Sequence, residues 1–210
     1  NYLNGTEIEI NDILQSQNFG SAKKYFHDAS GGQFAPQFDI KGPVTVSQNS
    51  AYYGADNGSS KDVKLSEMLK EACELALSDI TISDYDANGD GKVDLVYFIY
   101  AGYSQSVAGN SANDIWPKSG VTDLTIKGTS QKVRYGINNE LNYYPGKEFT
   151  TNKDITKRIN GIGLFCHEFS HTMGLPDLYP TVASAQIDDQ AMEYWSLMDG
   201  GEYVNNGYTP

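Results

Sequence analysis

The stretch Phe165-Cys166-His167-Glu168-Phe169-Ser170-His171-Thr172-Met173-Gly174-Leu175-Pro176-Asp177 constrains this chain more than any other. Residues four apart on an α-helix share a face, so His167 and His171 of the H-E-x-x-H pattern can reach one metal ion. Glu168 then stands beside that ion without having to bind it. At about 100° per residue, Ile162, Phe165, Cys166, Phe169 and Met173 gather on one side, and the histidines point roughly 160° away from them. The expected element is a helix with a core face and a metal face, capped by Asn160.

The residues that follow extend the site. Gly174 lies three past His171, where a helix can end in a left-handed turn that a Cβ opposes. Pro176 prevents the helix from resuming, so the chain turns back and Asp177 can approach the same metal. His167, His171 and Asp177 then make three ligands with a fourth position for water, the arrangement of a catalytic zinc site. Glu168 is placed to take a proton from that water as it attacks a carbonyl.

A second constellation is Asp84-Tyr85-Asp86-Ala87-Asn88-Gly89-Asp90-Gly91-Lys92-Val93-Asp94, running straight into Leu95-Val96-Tyr97-Phe98-Ile99-Tyr100. Asp86, Asn88, Asp90 and Gly91 match positions 1, 3, 5 and 6 of a calcium loop. Position 12 is Tyr97 rather than a bidentate Glu, so the pattern is not an EF-hand. The expectation is one Ca²⁺ held by Asp86, Asn88, Asp90, the Lys92 carbonyl and Asp94, tying the loop to a central strand at 95–100. The alternative is a polar turn with solvated carboxylates.

Length and charge bound the rest. At 210 residues the chain can bury one substantial core or a core with two lobes. A formal charge of -12, with no dense cluster among the 15 Lys and Arg, argues against nucleic-acid or anionic-membrane partners. No apolar run approaches the roughly 18–20 residues of a membrane span, and the polar start Asn1-Tyr2-Leu3-Asn4-Gly5 is unlike a signal peptide. Cys73 and Cys166 are the two cysteines; both are read as buried free thiols, with a single disulfide between them as the alternative.

Along the chain, Ile8, Ile10, Ile13 and Leu14 carry the one pattern of the opening residues. Ser21 is the expected cap of a short helix over 22–29, ended by Ser30-Gly31-Gly32. A strand pair is expected in 33–46 about a turn at Gly42-Pro43, then a loop over 51–60. The clearest helix outside the histidine stretch is 62–77, with Leu65, Met68, Leu69, Ala72, Cys73 and Ala76 on one stripe. The segment 101–120, holding Trp116-Pro117, is read as a loop, either substrate-facing or a plain surface excursion. A weaker strand is expected at 131–137. No repeats or linkers divide the chain.

HEFSHTMGLPDLY followed by YWSLMDGG resembles the immune-inhibitor-A-type secreted metalloproteases, a metzincin-like group whose last ligand after H-E-x-x-H-x-x-G-x-x is Asp. DANGDGKVDLVYFIYAGY and DIWP resemble the same family, so the likeness covers roughly 84–201 and, more loosely, 25–53. It implies His167, His171 and Asp177 as zinc ligands, Glu168 as base, and Met198 in a methionine turn beneath the metal. It also implies an α+β zincin (metzincin) fold: a twisted mixed sheet, two long helices above an active-site cleft, an edge strand holding the substrate extended, and a small lower lobe. The chain is then a single catalytic domain, 1–210, with an upper lobe at about 20–174 and a lower lobe at about 175–210 that is shorter than the resemblance implies. In some metzincins a Tyr follows the turn methionine by two residues; here that position is Gly200, and Tyr203 is the nearest tyrosine.

Glu193, 22 residues past His171, is a rival third ligand of the thermolysin type. The local return path through Gly174 and the turn at Ser196-Leu197-Met198 favour Asp177. The expected function is a secreted, monomeric zinc endopeptidase acting on protein or peptide substrates. Two alternatives remain open: a metal-binding adhesion module with an inactive site, and a different zinc hydrolase such as an amidase.

Overall fold

The computed structural model describes residues 3–4, 20–106, 111–142, 158–182 and 192–207. The hydrophobic pattern at Ile8, Ile10, Ile13 and Leu14 lies outside the described residues. The chain forms two compact units, one of residues 40–157 and one of residues 1–39 with 158–210.

The first of these units is built on a mixed three-stranded sheet of β1 (Leu95–Tyr100), β2 (Lys118–Ile126) and β3 (Thr129–Asn139), in the order β1-β3-β2. β3 runs parallel to β1, with Leu95 opposite Arg134 and Tyr100 opposite Asn139, and antiparallel to β2. Among the described residues the strand with two neighbours is therefore β3, not the 95–100 run that its apolar sequence suggests. β1 is half-buried, and Ile99 is 52% exposed. Strand β2 has no counterpart in the sequence reading, yet its hairpin was encoded. Lys127 and Gly128 both have positive φ (50° and 76°), as a two-residue type I′ turn requires, and Leu124 and Ile126 alternate inward just before it.

Helix α1 (Ala22–Ala29) belongs to the other unit and starts where Ser21 accepts from the Lys24 N–H, as its sequence demands. In the sheet unit, α2 (Ser50–Tyr53) is capped by Asn49 and occupies the start of the expected loop, followed by an isolated bridge between Asn57 and Ser60. Helix α3 (Leu65–Ala76) buries Leu65, Met68, Leu69 and Cys73. They pack with Ile115, Leu124, Ile126, Val133 and Ile137 into one core. Each fully buried aliphatic side chain there contributes about 1.5–3 kcal/mol. The Trp116 segment is tied back to this unit: Tyr100 donates to the Ile115 carbonyl at 2.6 Å, Asp62 accepts from the Trp116 N–H, and Lys61 lies over the Trp116 ring.

The expected strand pair at 33–46 does not form; the described backbone there is irregular about Gly42-Pro43. In the unit of 1–39 and 158–210, the Asn4 side-chain amide takes the place of a neighbouring strand, donating to the Phe38 carbonyl at 2.6 Å and accepting from the Phe38 N–H at 2.9 Å. Phe38 then packs edge-on against Phe165 and Phe169, 5.3 Å from each. Those two rings belong to helix α4 (Ile162–Thr172), and Phe26 of α1 joins them. Asn160 does not cap α4. Gly161 is the N-cap, without a side-chain hydrogen bond.

Candidate metal centre

Helix α4 is buried on both of the faces that its sequence separates. Ile162, Phe165, Cys166 and Phe169 are enclosed as expected, but so are His167, 3% exposed, and Glu168, 7% exposed. Met173, assigned to the core stripe, is exposed instead, because the helix has already ended at Thr172. The cover over the metal face comes from the segment 196–207. Its close approach explains Gly163: a Cβ there would lie 2.1 Å from the Glu202 carbonyl oxygen.

The end of α4 builds one half of the site. Gly174 adopts φ 97°, and the Leu175 N–H reaches the Ser170 carbonyl while the Gly174 N–H reaches that of His171. This pairing is the Schellman motif. Its consequence is chemical as well as structural, because it brings the Leu175 carbonyl to 2.7 Å from His171 Nδ1. The turn at 196–199 does the same for the other imidazole, placing the Leu197 carbonyl 2.8 Å from His167 Nδ1. Each Nδ1 therefore carries the hydrogen and donates, which in the neutral ring that a metal ligand must be leaves each Nε2 as a bare lone pair.

Those lone pairs converge. His167 Nε2 and His171 Nε2 are 3.0 Å apart, and Asp177 Oδ1 lies 3.3 Å from the first and 3.1 Å from the second. Asp177 Oδ1 is buried and receives no hydrogen bond. Three acceptor atoms facing one another without a proton among them repel unless a cation sits between them. A tetrahedral zinc ion with bonds of about 2.0 Å separates its ligand atoms by about 3.3 Å, close to all three spacings. Among the described residues this is the one group of three His, Cys, Asp or Glu whose donor atoms lie within 4.8 Å of one another. The donor set fits zinc. Glu193 is exposed, at the start of a 3₁₀ turn over Glu193–Trp195, and is not part of the cluster.

Met198 is 5% exposed, and its carbonyl accepts from the Leu178 N–H at 2.8 Å, so the turn that carries it is fastened to the loop bearing Asp177. Asp199 holds the turn from behind by accepting from the Met192 and Glu193 N–H groups at 3.0 and 2.8 Å. Burial lowers the pKa of His167, which favours the neutral ring that a metal ligand must be.

Tyr179 and Glu202, beside the site, have no counterpart in the sequence reading, and Tyr203 was singled out there only as the tyrosine nearest the methionine turn. Tyr179 stacks on His167 with 6.5 Å between ring centroids, and its pKa is raised by burial and then by Asp177. Glu202 is 5% exposed, and burial pushes its carboxyl up to about 8, against the lowering effect of a hydrogen bond from Tyr203. Tyr203 is in turn raised by burial and then by Glu202. The one available signal was the Gly200-Gly201 pair, which marks tight packing just before Glu202: a Cβ at Gly201 would lie 2.4 Å from the Ser196 carbonyl oxygen.

The acidic loop behaves differently. Asp86 accepts from the N–H groups of Gly89, Asp90 and Gly91 at 2.7–3.0 Å. Asp94 accepts from the Ala87 N–H and the Asn88 amide, and Asn88 from the Asp90 N–H. Asp90 accepts from the Lys92 N–H and pairs with its ammonium at 3.3 Å. The expected calcium ligands Asp86, Asn88, Asp90, Lys92 and Asp94 are thus neighbours, but their oxygens are turned onto their own backbone and the structure gives calcium no support.

Comparison with known proteins places the chain in a peptidase family. The family model described as the immune inhibitor A peptidase M6 catalytic domain matches residues 9–209. Immune inhibitor A of Bacillus thuringiensis subsp. alesti is 29% identical over 90% of this chain and 30% of its own length. The pre-pro-metalloprotease PrtV of Vibrio cholerae serotype O1 is 27% identical over 90% of this chain and 22% of its own length. The chain thus spans less than a third of the length of these relatives. No solved structure matches it. With the match running through nearly every residue, including all those that converge on the metal centre, the chain belongs to the immune inhibitor A family of M6 peptidases.

Proposed function

We propose that this chain is the catalytic domain of a secreted zinc endopeptidase. The observation that carries the proposal is the convergence of His167 Nε2, His171 Nε2 and Asp177 Oδ1 at 3.0–3.3 Å, with each Nδ1 already engaged by a backbone carbonyl. These three residues hold the metal. When bound there, zinc supplies Lewis acidity, polarising a substrate carbonyl and lowering the pKa of a water from 15.7 toward about 7. Glu168, next to a ligand on α4, takes the proton of the attacking water on its carboxylate and returns it to the leaving amine. Its burial keeps bulk water away from that transfer. Met198 forms the floor through its turn.

Residues 1–210 act as a single domain of zincin type, a reading supported by the family match that runs through both compact units. Secretion draws support from the pre-pro form named for the Vibrio relative. Protein substrates follow from family membership.

Zinc content and casein digestion test the proposal, with Glu168→Ala as control. One equivalent of zinc in the wild type and in Glu168→Ala, with cleavage in the wild type alone, is the expected result. Zinc bound with a fold intact and no Glu168-dependent cleavage of any amide makes the chain a binding module. Glu168-dependent hydrolysis of small amides without proteolysis makes it an amidase.

A further inference from the structure

Glu202 is a carboxylate in the wrong place for an ordinary acidic side chain. It lies in the 3₁₀ segment Gly200–Gly207, 5% exposed, and its Oε2 is buried with no hydrogen-bond partner. A buried carboxylate is costly unless a cation or several donors compensate it. Among the described residues its one ion-pair neighbour within 4.0 Å is His167, whose Nδ1 is 4.0 Å from Oε2. No lysine or arginine of the described chain takes that place.

The position is also enforced. The Glu202 carbonyl oxygen presses on the first turn of α4, where Gly163 leaves it room, and the Gly201 N–H donates to the Ser196 carbonyl at 2.8 Å. The backbone that carries Glu202 is therefore held against the helix.

We propose that Glu202 is a positioning residue for the metal centre, acting on His167 from behind through its charge, 4.0 Å from the Nδ1 whose hydrogen the Leu197 carbonyl accepts, so that the ring keeps its Nε2 lone pair aimed at the metal. The cation that justifies a carboxylate at this depth is then the metal itself, reached through the imidazole. Partners of this kind behind a ligating histidine strengthen metal binding by about 10–100-fold. This inference rests on the zinc reading of His167, His171 and Asp177.

The test compares the wild-type chain with Glu202→Gln, which keeps the volume and cannot carry a charge. Zinc affinity is measured by competition with a chromophoric chelator, and melting temperature is measured with and without zinc. Glu202→Gln is expected to bind zinc about 10–100-fold more weakly, while its metal-free form melts no lower than the wild type. The zinc-induced rise in melting temperature shrinks accordingly. Glu202→Asp, which retains the charge on a shorter arm, recovers part of the affinity. A Glu202→Gln chain that binds zinc within threefold of the wild type overturns the role. So does equal weakening of the metal-free fold, which makes Glu202 structural. A wild-type chain that takes up no zinc overturns the metal reading itself, and the role of Glu202 with it.

Discussion

The histidine helix and the acidic loop both read as metal sites, and they use the same kinds of polar atoms to opposite ends. At the histidine site, backbone carbonyls occupy the Nδ1 atoms and leave three acceptors facing one another with no donor between them. At the acidic loop, the carboxylates of Asp86 and Asp94 accept from backbone N–H groups of the same loop. A metal centre is recognised by acceptors left without donors, not by the number of acceptors. The side chains that ligate calcium are also the ones that close Asx turns, so a pattern of alternate Asp and Asn leaves the two readings equally open until the hydrogen bonds are known.

The contrast can be broken most decisively at the ligands. His171→Ala or Asp177→Ala should weaken zinc binding by more than the roughly 100-fold that loss of a supporting partner costs, measured by chelator competition. Glu168→Gln should retain zinc and lose about 10²–10⁴ in hydrolytic rate. Full zinc affinity in Asp177→Ala would mean that Asp177 does not hold the metal.

A smaller effect separates space from conformation around the same helix. Gly163→Ala drives a methyl into the Glu202 carbonyl and should cost about 1–3 kcal/mol or more in urea denaturation. Gly174 has open space around its Cβ position and is needed only for φ 97°. Gly174→Ala should cost about 1–2 kcal/mol.

At the acidic loop, Asp86→Ala strands three backbone N–H groups that water can partly reach, and should lower stability by about 1–2 kcal/mol. The loss should be the same in excess calcium and in chelator, because the role of Asp86 is to cap the turn. Wild-type protein that melts several degrees higher in calcium erases the difference between the two regions.

The smallest effect belongs to a ligand type that neither site uses. Cys73 lies in the core of the sheet unit, 1% exposed, and burial pushes its thiol from 9.0 up to about 12. Native protein should resist alkylation at pH 8 and react after unfolding. A pKa raised on folding stabilises fully below pH 9 and is lost as pH rises toward 12, so Cys73→Val should flatten that alkaline decline.

Much of this was legible in the chain because it is local. Ser21 capping α1, the stripe of α3, the Gly174 turn and the return of Asp177 all arise within a few residues, where side-chain period and backbone conformation decide the outcome. The failures share a cause. Residues 33–46 carry strand-like hydrophobics, but Phe38 was claimed by Phe165 and Phe169 and its backbone by Asn4, partners 34 or more positions away. The apolar run of β1 suggested a central strand, yet centrality depends on which strands pair, and among the described residues β3 is the one with two neighbours.

The metal centre divides along the same line. By itself the sequence determined that two imidazoles share a helix face, that a left-handed turn follows and that an aspartate comes back toward them. Helical geometry and the φ of one glycine suffice for that. Only the tertiary structure decided which nitrogen of His167 is free, because the carbonyl that orients it comes from Leu197, 30 residues on, whereas that of His171 comes from Leu175 in the local turn. The tertiary structure also brought the Glu202 carboxylate behind that ring, since the contact is made between two segments packed so closely that Gly163 has no room for a side chain.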